Sequence, residues 1–139
     1  MATQEAAYQS LQGPLYSARQ VGVTSFIFGP LGGALLLRAN YRALNNNGAA
    51  TKALLWSAAA TALLVIILLE LPFDLPRSVA PAIYGAVMYQ VHVRLQGEAF
   101  KAHVGAGGRQ QSWWRAILLG VVGLVATLVI AFAVGAVMP

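Results

Sequence analysis

Two apolar runs, Ala53–Leu71 and Ala116–Met138, constrain this chain more than any other feature. Each has the roughly 17–25 residues that a helix needs to cross a hydrocarbon core. The chain has 139 residues, enough for one domain. Its 58 % hydrophobic and 9 % charged content departs from soluble usage, which is about half apolar and about a quarter charged. Much of that apolar surface is expected to face lipid. A third stretch, Val21–Leu37, is marginal for a span. A fourth, Val79–Val93, is short and carries Tyr84, Tyr89, Gln90 and His92, so neighbouring helices should shield it. These stretches predict an all-α integral membrane protein with four transmembrane helices, over about 21–38, 53–72, 78–94 and 114–138. They would form two antiparallel hairpins in one domain, 21–138, behind a polar tail, 1–20. That tail lacks the basic start and apolar core of a signal peptide.

The net charge of +5 could suit nucleic acid or a membrane surface, and its distribution favours the membrane. Arg38, Arg42 and Lys52 fall in one expected inter-helix region, and Arg94, Lys101, Arg109 and Arg115 in another. Arg19 and Arg77 fall on the other side. The positive-inside rule then makes both basic loops cytoplasmic and both termini external. No nucleic-acid partner is expected. Tyr41, Trp113 and Trp114 suit interfacial anchors at headgroup depth. At helical spacing Arg94, Glu98 and Lys101 share one face, with Ala99, Phe100 and Val104 turned away, as in a short surface helix.

Within FIFGPLGGALLLRANYR (26–42), Pro30 lacks an N–H and clashes with the carbonyl of Phe26, so the first helix should be kinked at Gly29–Pro30. Thr24 or Ser25 could satisfy the freed carbonyl. Gly29 and Gly33 make a GxxxG step that admits a neighbouring backbone. Gly120, Gly123, Thr127, Ala131 and Gly135 give the last helix a small-residue face. The halves also echo each other: Gly33-Ala34 precedes Arg42 as Gly85-Ala86 precedes Arg94, a spacing that a duplicated hairpin would produce and that apolar low-complexity sequence more often produces by chance.

Candidates for chemistry are few. The chain has no cysteine, which removes disulfides, thiolates and Cys-ligated metals. His92 and His103 have no carboxylate or second histidine at ligand spacing, so no metal or haem site is expected. Phosphate-loop, hydrolase and zinc-protease motifs are absent. Glu70, Asp74 and Arg77 should sit at the outer connection. Glu98 with His103 is the only conceivable acid–base pair. No catalytic residue and no cofactor are therefore expected, and an enzyme is disfavoured.

FGPLGGALLLRANYRAL, RLQGEAF and HVGAGGRQQSWW resemble patches of small bacterial inner-membrane proteins. The resemblance implies that Gly29, Pro30, Gly33, Asn40, Tyr41, Arg42, Gln96, Gly97, His103 and Gly108 belong to a shared pattern, and that the setting is the bacterial inner membrane. It carries no activity. The expected role is association: an accessory or scaffold subunit, or a self-associating protein. Its basic face would meet anionic lipid, and a protein partner or second copy would cover its small-residue faces. The alternative is a small oligomeric transporter or channel, with the broken first helix, Tyr89, Gln90 and His92 lining the path.

Overall fold

The computed structural model describes residues 13–139. The expected polar tail lies outside the described residues as far as position 12. Five helices follow. α1 (Ala18–Phe28) starts at a capping box: the Ser17 hydroxyl accepts from the Gln20 backbone N–H, and the Gln20 side chain accepts from the Ser17 N–H. α2 (Pro30–Ala43) ends in a turn in which Asn45 takes φ 58° and Asn46 caps the next helix, accepting from the Ala49 N–H at 3.1 Å. α3 (Asn47–Glu70) stops before Pro72, and α4 (Val79–Gly105) tolerates Pro81 in its first turn. Ser112 caps α5 (Trp113–Val137). ANYRALNNNGAAT, with three consecutive asparagines and a glycine, supplies the α2–α3 turn.

The first helix is not a kinked span. At Gly29 the backbone adopts φ 91°, ψ 173°, a region that essentially only glycine occupies. There the chain reverses instead of bending. Pro30 becomes the first residue of a new helix, where a missing N–H costs nothing. The pairings across the turn converge on Phe28 from both sides. Gly32 lies against Thr24, Gly33 against Ser25 and Val21, and Asn40 against Tyr16. α1 and α2 are therefore an antiparallel hairpin about 16 and about 21 Å long, at about 1.5 Å per residue. The expected single span over 21–38 does not exist.

This hairpin is the hub of the molecule. α1 packs on α4, and α2 packs on α3 and α5, whereas α3 scarcely touches α4 along its length. Most of the buried apolar side chains belong to the hairpin and the two residues before it: Leu15, Tyr16, Val21, Leu31, Leu36 and Leu37. The long helices contribute little to the interior. α3 buries only Ala50 and Thr61, and α5 only Ala116, Gly120 and Gly123. Two helices, Asn47–Glu70 and Trp113–Val137, are long and apolar enough to cross a membrane.

Two further expectations are corrected. The surface helix expected after residue 94 is the unbroken continuation of α4, with Arg94, Glu98 and Lys101 exposed and His103 buried. Residues 13–17 do not lie with the C-terminal end of α5. Leu15 donates to the Arg109 carbonyl at 3.2 Å and accepts from the Gln111 N–H at 2.8 Å, which places it beside the start of α5. Arg19 therefore joins Arg38, Arg42, Lys52, Arg94, Lys101, Arg109 and Arg115 at one end of the helices. Among the basic residues only Arg77 is at the other.

Candidate functional site

Two features stand out: a buried polar cluster at the base of the hairpin and an open groove above it. At the base, the Asn40 amide pairs with the Tyr16 peptide unit as a neighbouring strand would. Its Oδ1 accepts from the Tyr16 N–H at 2.7 Å, and its Nδ2 donates to the Tyr16 carbonyl at 2.9 Å. The same Nδ2 donates to Gln96 Oε1 at 2.9 Å, and Gln96 Nε2 donates to the Leu37 carbonyl at 2.9 Å. His92 Nε2 lies 2.9 Å from the Tyr16 carbonyl. A carbonyl only accepts, so Nε2 carries the proton, and Phe100 meets the imidazole edge-on. Asn40, His92 and Gln96 are each at most 2 % exposed. Burial pushes the Tyr16 phenol above its ordinary value, and the Arg115 guanidinium opposes that rise.

A second set of bonds staples the N-terminal segment to the 106–112 loop. Gln20 Nε2 donates to the Gln111 carbonyl at 2.7 Å, and His103 Nε2 donates to the Arg109 carbonyl at 3.0 Å. The base is thus a lock joining four stretches of chain. Apart from His92 Nδ1 and His103 Nδ1, which are buried without a hydrogen-bond partner, its polar groups are committed to one another or to backbone, which suits holding the hairpin shut.

Where α3 and α4 stand apart, a groove of about 740 Å³ opens to the side. Pro30, Leu37 and Tyr41 of α2 form its floor. Ala53, Trp56 and Ala60 stand on the α3 wall, with Ile83, Val87 and Val91 on the α4 wall. Among the described residues Lys52 is the one charged member of the lining, and it sits at the basic end, as does Tyr41. Burial raises the Tyr41 phenol above its usual value. The Thr61 hydroxyl donates to the Ser57 carbonyl at 2.7 Å, leaving the wall apolar to an occupant. A smaller space of about 210 Å³ lies at the hairpin tip, between Phe28, Pro30, Tyr84 and Thr127.

The expected packing residues do pack, but within the chain. A Cβ at Gly33 would collide with Ser25, one at Gly123 with the Gly32 backbone, and one at Gly120 with the Phe28 ring. Thr127 lies near Gly29, and its hydroxyl bonds the Gly123 carbonyl at 2.8 Å. Ala131 is half-buried, whereas Gly135 has open space around it and packs against nothing. Trp113 and Trp114 are exposed at the start of α5.

Tyr89, Gln90 and His92 do not line a common path. Tyr89 lies over Gly22, Gln90 is exposed and His92 is buried under Tyr16. Glu98 is exposed while His103 is buried, so these two make no acid–base pair. Glu70, Asp74 and Arg77 are exposed. Among the described residues no group of three His, Asp or Glu could hold a metal ion.

Sequence reasoning missed Gly22, Gly32 and Gly85, whose surfaces meet other helices at tight contact, and the joint role of Asn40, Gln96 and Gln20. Polar residues bracketing an apolar stretch too short to span were the available signal. Comparison with protein-family models, curated proteins and solved structures gives no match.

Proposed function

We propose that this is a non-enzymatic integral membrane protein that works by association inside the bilayer, taking an apolar occupant into the α3–α4 groove. α3, α4 and α5 would cross the membrane, their 24, 27 and 25 residues giving about 36–40 Å each at about 1.5 Å per residue against a core of about 30 Å. The hairpin would be re-entrant, its non-helical tip shielded by protein as such segments must be. Eight basic residues at one end support a cytoplasmic assignment for the base, residues 13–17 included, and an external end for α5. The resemblance adds the bacterial inner membrane.

One observation carries the associative reading. Gly33, Gly120 and Gly123 are covered from within the chain, while α3 and α4 leave an apolar groove that no described residue fills. Transport has no shared cavity among Tyr89, Gln90 and His92 to rest on. The test is purification in mild detergent with identification of all bound chains and lipids. Ala53→Trp with Ala60→Trp, which fills the groove, should leave the fold intact and release a stoichiometric occupant. An unchanged complement of bound molecules would refute the reading.

A further inference from the structure

We propose that the groove is a binding site for one anionic lipid, its acyl chain lying on the α2 floor and its headgroup phosphate at Lys52. The inference rests on reading the groove as the association site, and it names the occupant.

Size admits a lipid chain. Along α3 the lining runs from Ala49 to Leu64, about 22 Å at about 1.5 Å per residue. Spread over that length, the groove's 740 Å³ gives a cross-section of roughly 34 Å² along α3. A hydrocarbon chain about 4–5 Å across, set by the contact distance between carbons, fits within it. The length exceeds the roughly 15 Å depth of a single leaflet, so a chain entering from the basic end stays inside.

Charge fixes the direction and the headgroup. Apolar matching alone selects nothing, because lipid tails outside the groove are as apolar as its walls. Selection must come from the end of the groove where Lys52 supplies the only charge among the described lining residues and Tyr41 a hydroxyl. The opposite end, at Pro30, Leu64 and Ile83, has no charged residue. Anionic lipid of the basic-side leaflet has the complementary pattern: a phosphate at the mouth and a chain within.

The experiment equilibrates the delipidated full chain with mixed micelles of phosphatidylglycerol and phosphatidylcholine and counts retained lipids by native mass spectrometry. The wild type should keep one phosphatidylglycerol in preference to phosphatidylcholine. Lys52→Gln should lower that preference about five-fold, equivalent to about 1 kcal/mol at 1.4 kcal/mol per decade. Lys52→Arg should retain it, and Arg77→Gln at the far end should leave it unchanged. A preference untouched by Lys52→Gln overturns the proposal. So does a photo-cross-linker at position 60 that captures a polypeptide in native membranes, a result that would leave the associative reading standing. If Ala60→Trp changes neither bound lipid nor bound chains, both readings fall.

Discussion

Replacing Asn40 with leucine should open the base of the hairpin. The Asn40 amide makes three hydrogen bonds, to the Tyr16 N–H, the Tyr16 carbonyl and Gln96 Oε1, and is 1 % exposed. After substitution the Tyr16 carbonyl keeps His92, but the Tyr16 N–H and Gln96 Oε1 lose their partners. Orphaning a buried polar group costs about 1–3 kcal/mol, giving about 2–6 kcal/mol for two. Membrane hydrogen bonds averaging about 0.6 kcal/mol each set a floor near 2 for three. We expect a loss of about 2–4 kcal/mol in reversible unfolding by SDS in mixed micelles, followed by tryptophan fluorescence. Gln96→Leu alone should cost about 1 kcal/mol, since Asn40 keeps its Tyr16 pair. The double variant should cost less than the sum of the singles by about 1 kcal/mol, because Gln96 no longer offers an orphaned oxygen. A cost for Asn40→Leu below about 0.5 kcal/mol, or an additive cycle, would refute the claim that this cluster closes the hairpin.

Two pairs of substitutions test the turn and the packing in the same assay. Gly29→Ala should cost about 1–3 kcal/mol for the backbone conformation alone, since the nearest atom to an added Cβ, Thr127 Oγ1, stands at an ordinary 3.7 Å. Pro30→Ala should change stability by less than about 1 kcal/mol, as befits a first helical position; in a merely kinked helix alanine at 29 would be favourable. Gly123→Ala should cost about 1–3 kcal/mol or more, because the Gly32 backbone cannot move aside. Gly135→Ala, which meets nothing within 4 Å, should be neutral or slightly stabilising.

The two long apolar helices were legible because length and hydropathy alone decide them, and the Asn45–Asn46 turn because its residue chemistry is local. The hairpin was not. A Gly-Pro step inside an apolar run signals a broken helix, but whether the chain bends or reverses depends on what the second half packs against. Here the small side chains at Gly22, Ser25, Gly32 and Gly33 let the two halves close on each other, and Asn40 pairs with Tyr16 across 24 positions. Gly33, Gly120 and Gly123 of the small-residue faces are covered from within the chain, which periodicity does not reveal, since it reports a face without saying whose backbone covers it. The groove was invisible because it arises from two consecutive helices that fail to pack.

The central claim is that the chain enters and leaves the hairpin on one side. The chain has no native cysteine, so single cysteines report cleanly. Arg19→Cys, Asn45→Cys and Arg77→Cys, at three exposed positions, can be labelled with a membrane-impermeant maleimide in vesicles of both orientations. Arg19→Cys and Asn45→Cys should react from the same face and Arg77→Cys from the opposite one. Reaction of Arg19→Cys from the face that labels Arg77→Cys would mean that the first apolar stretch crosses the membrane, and would contradict the re-entrant hairpin.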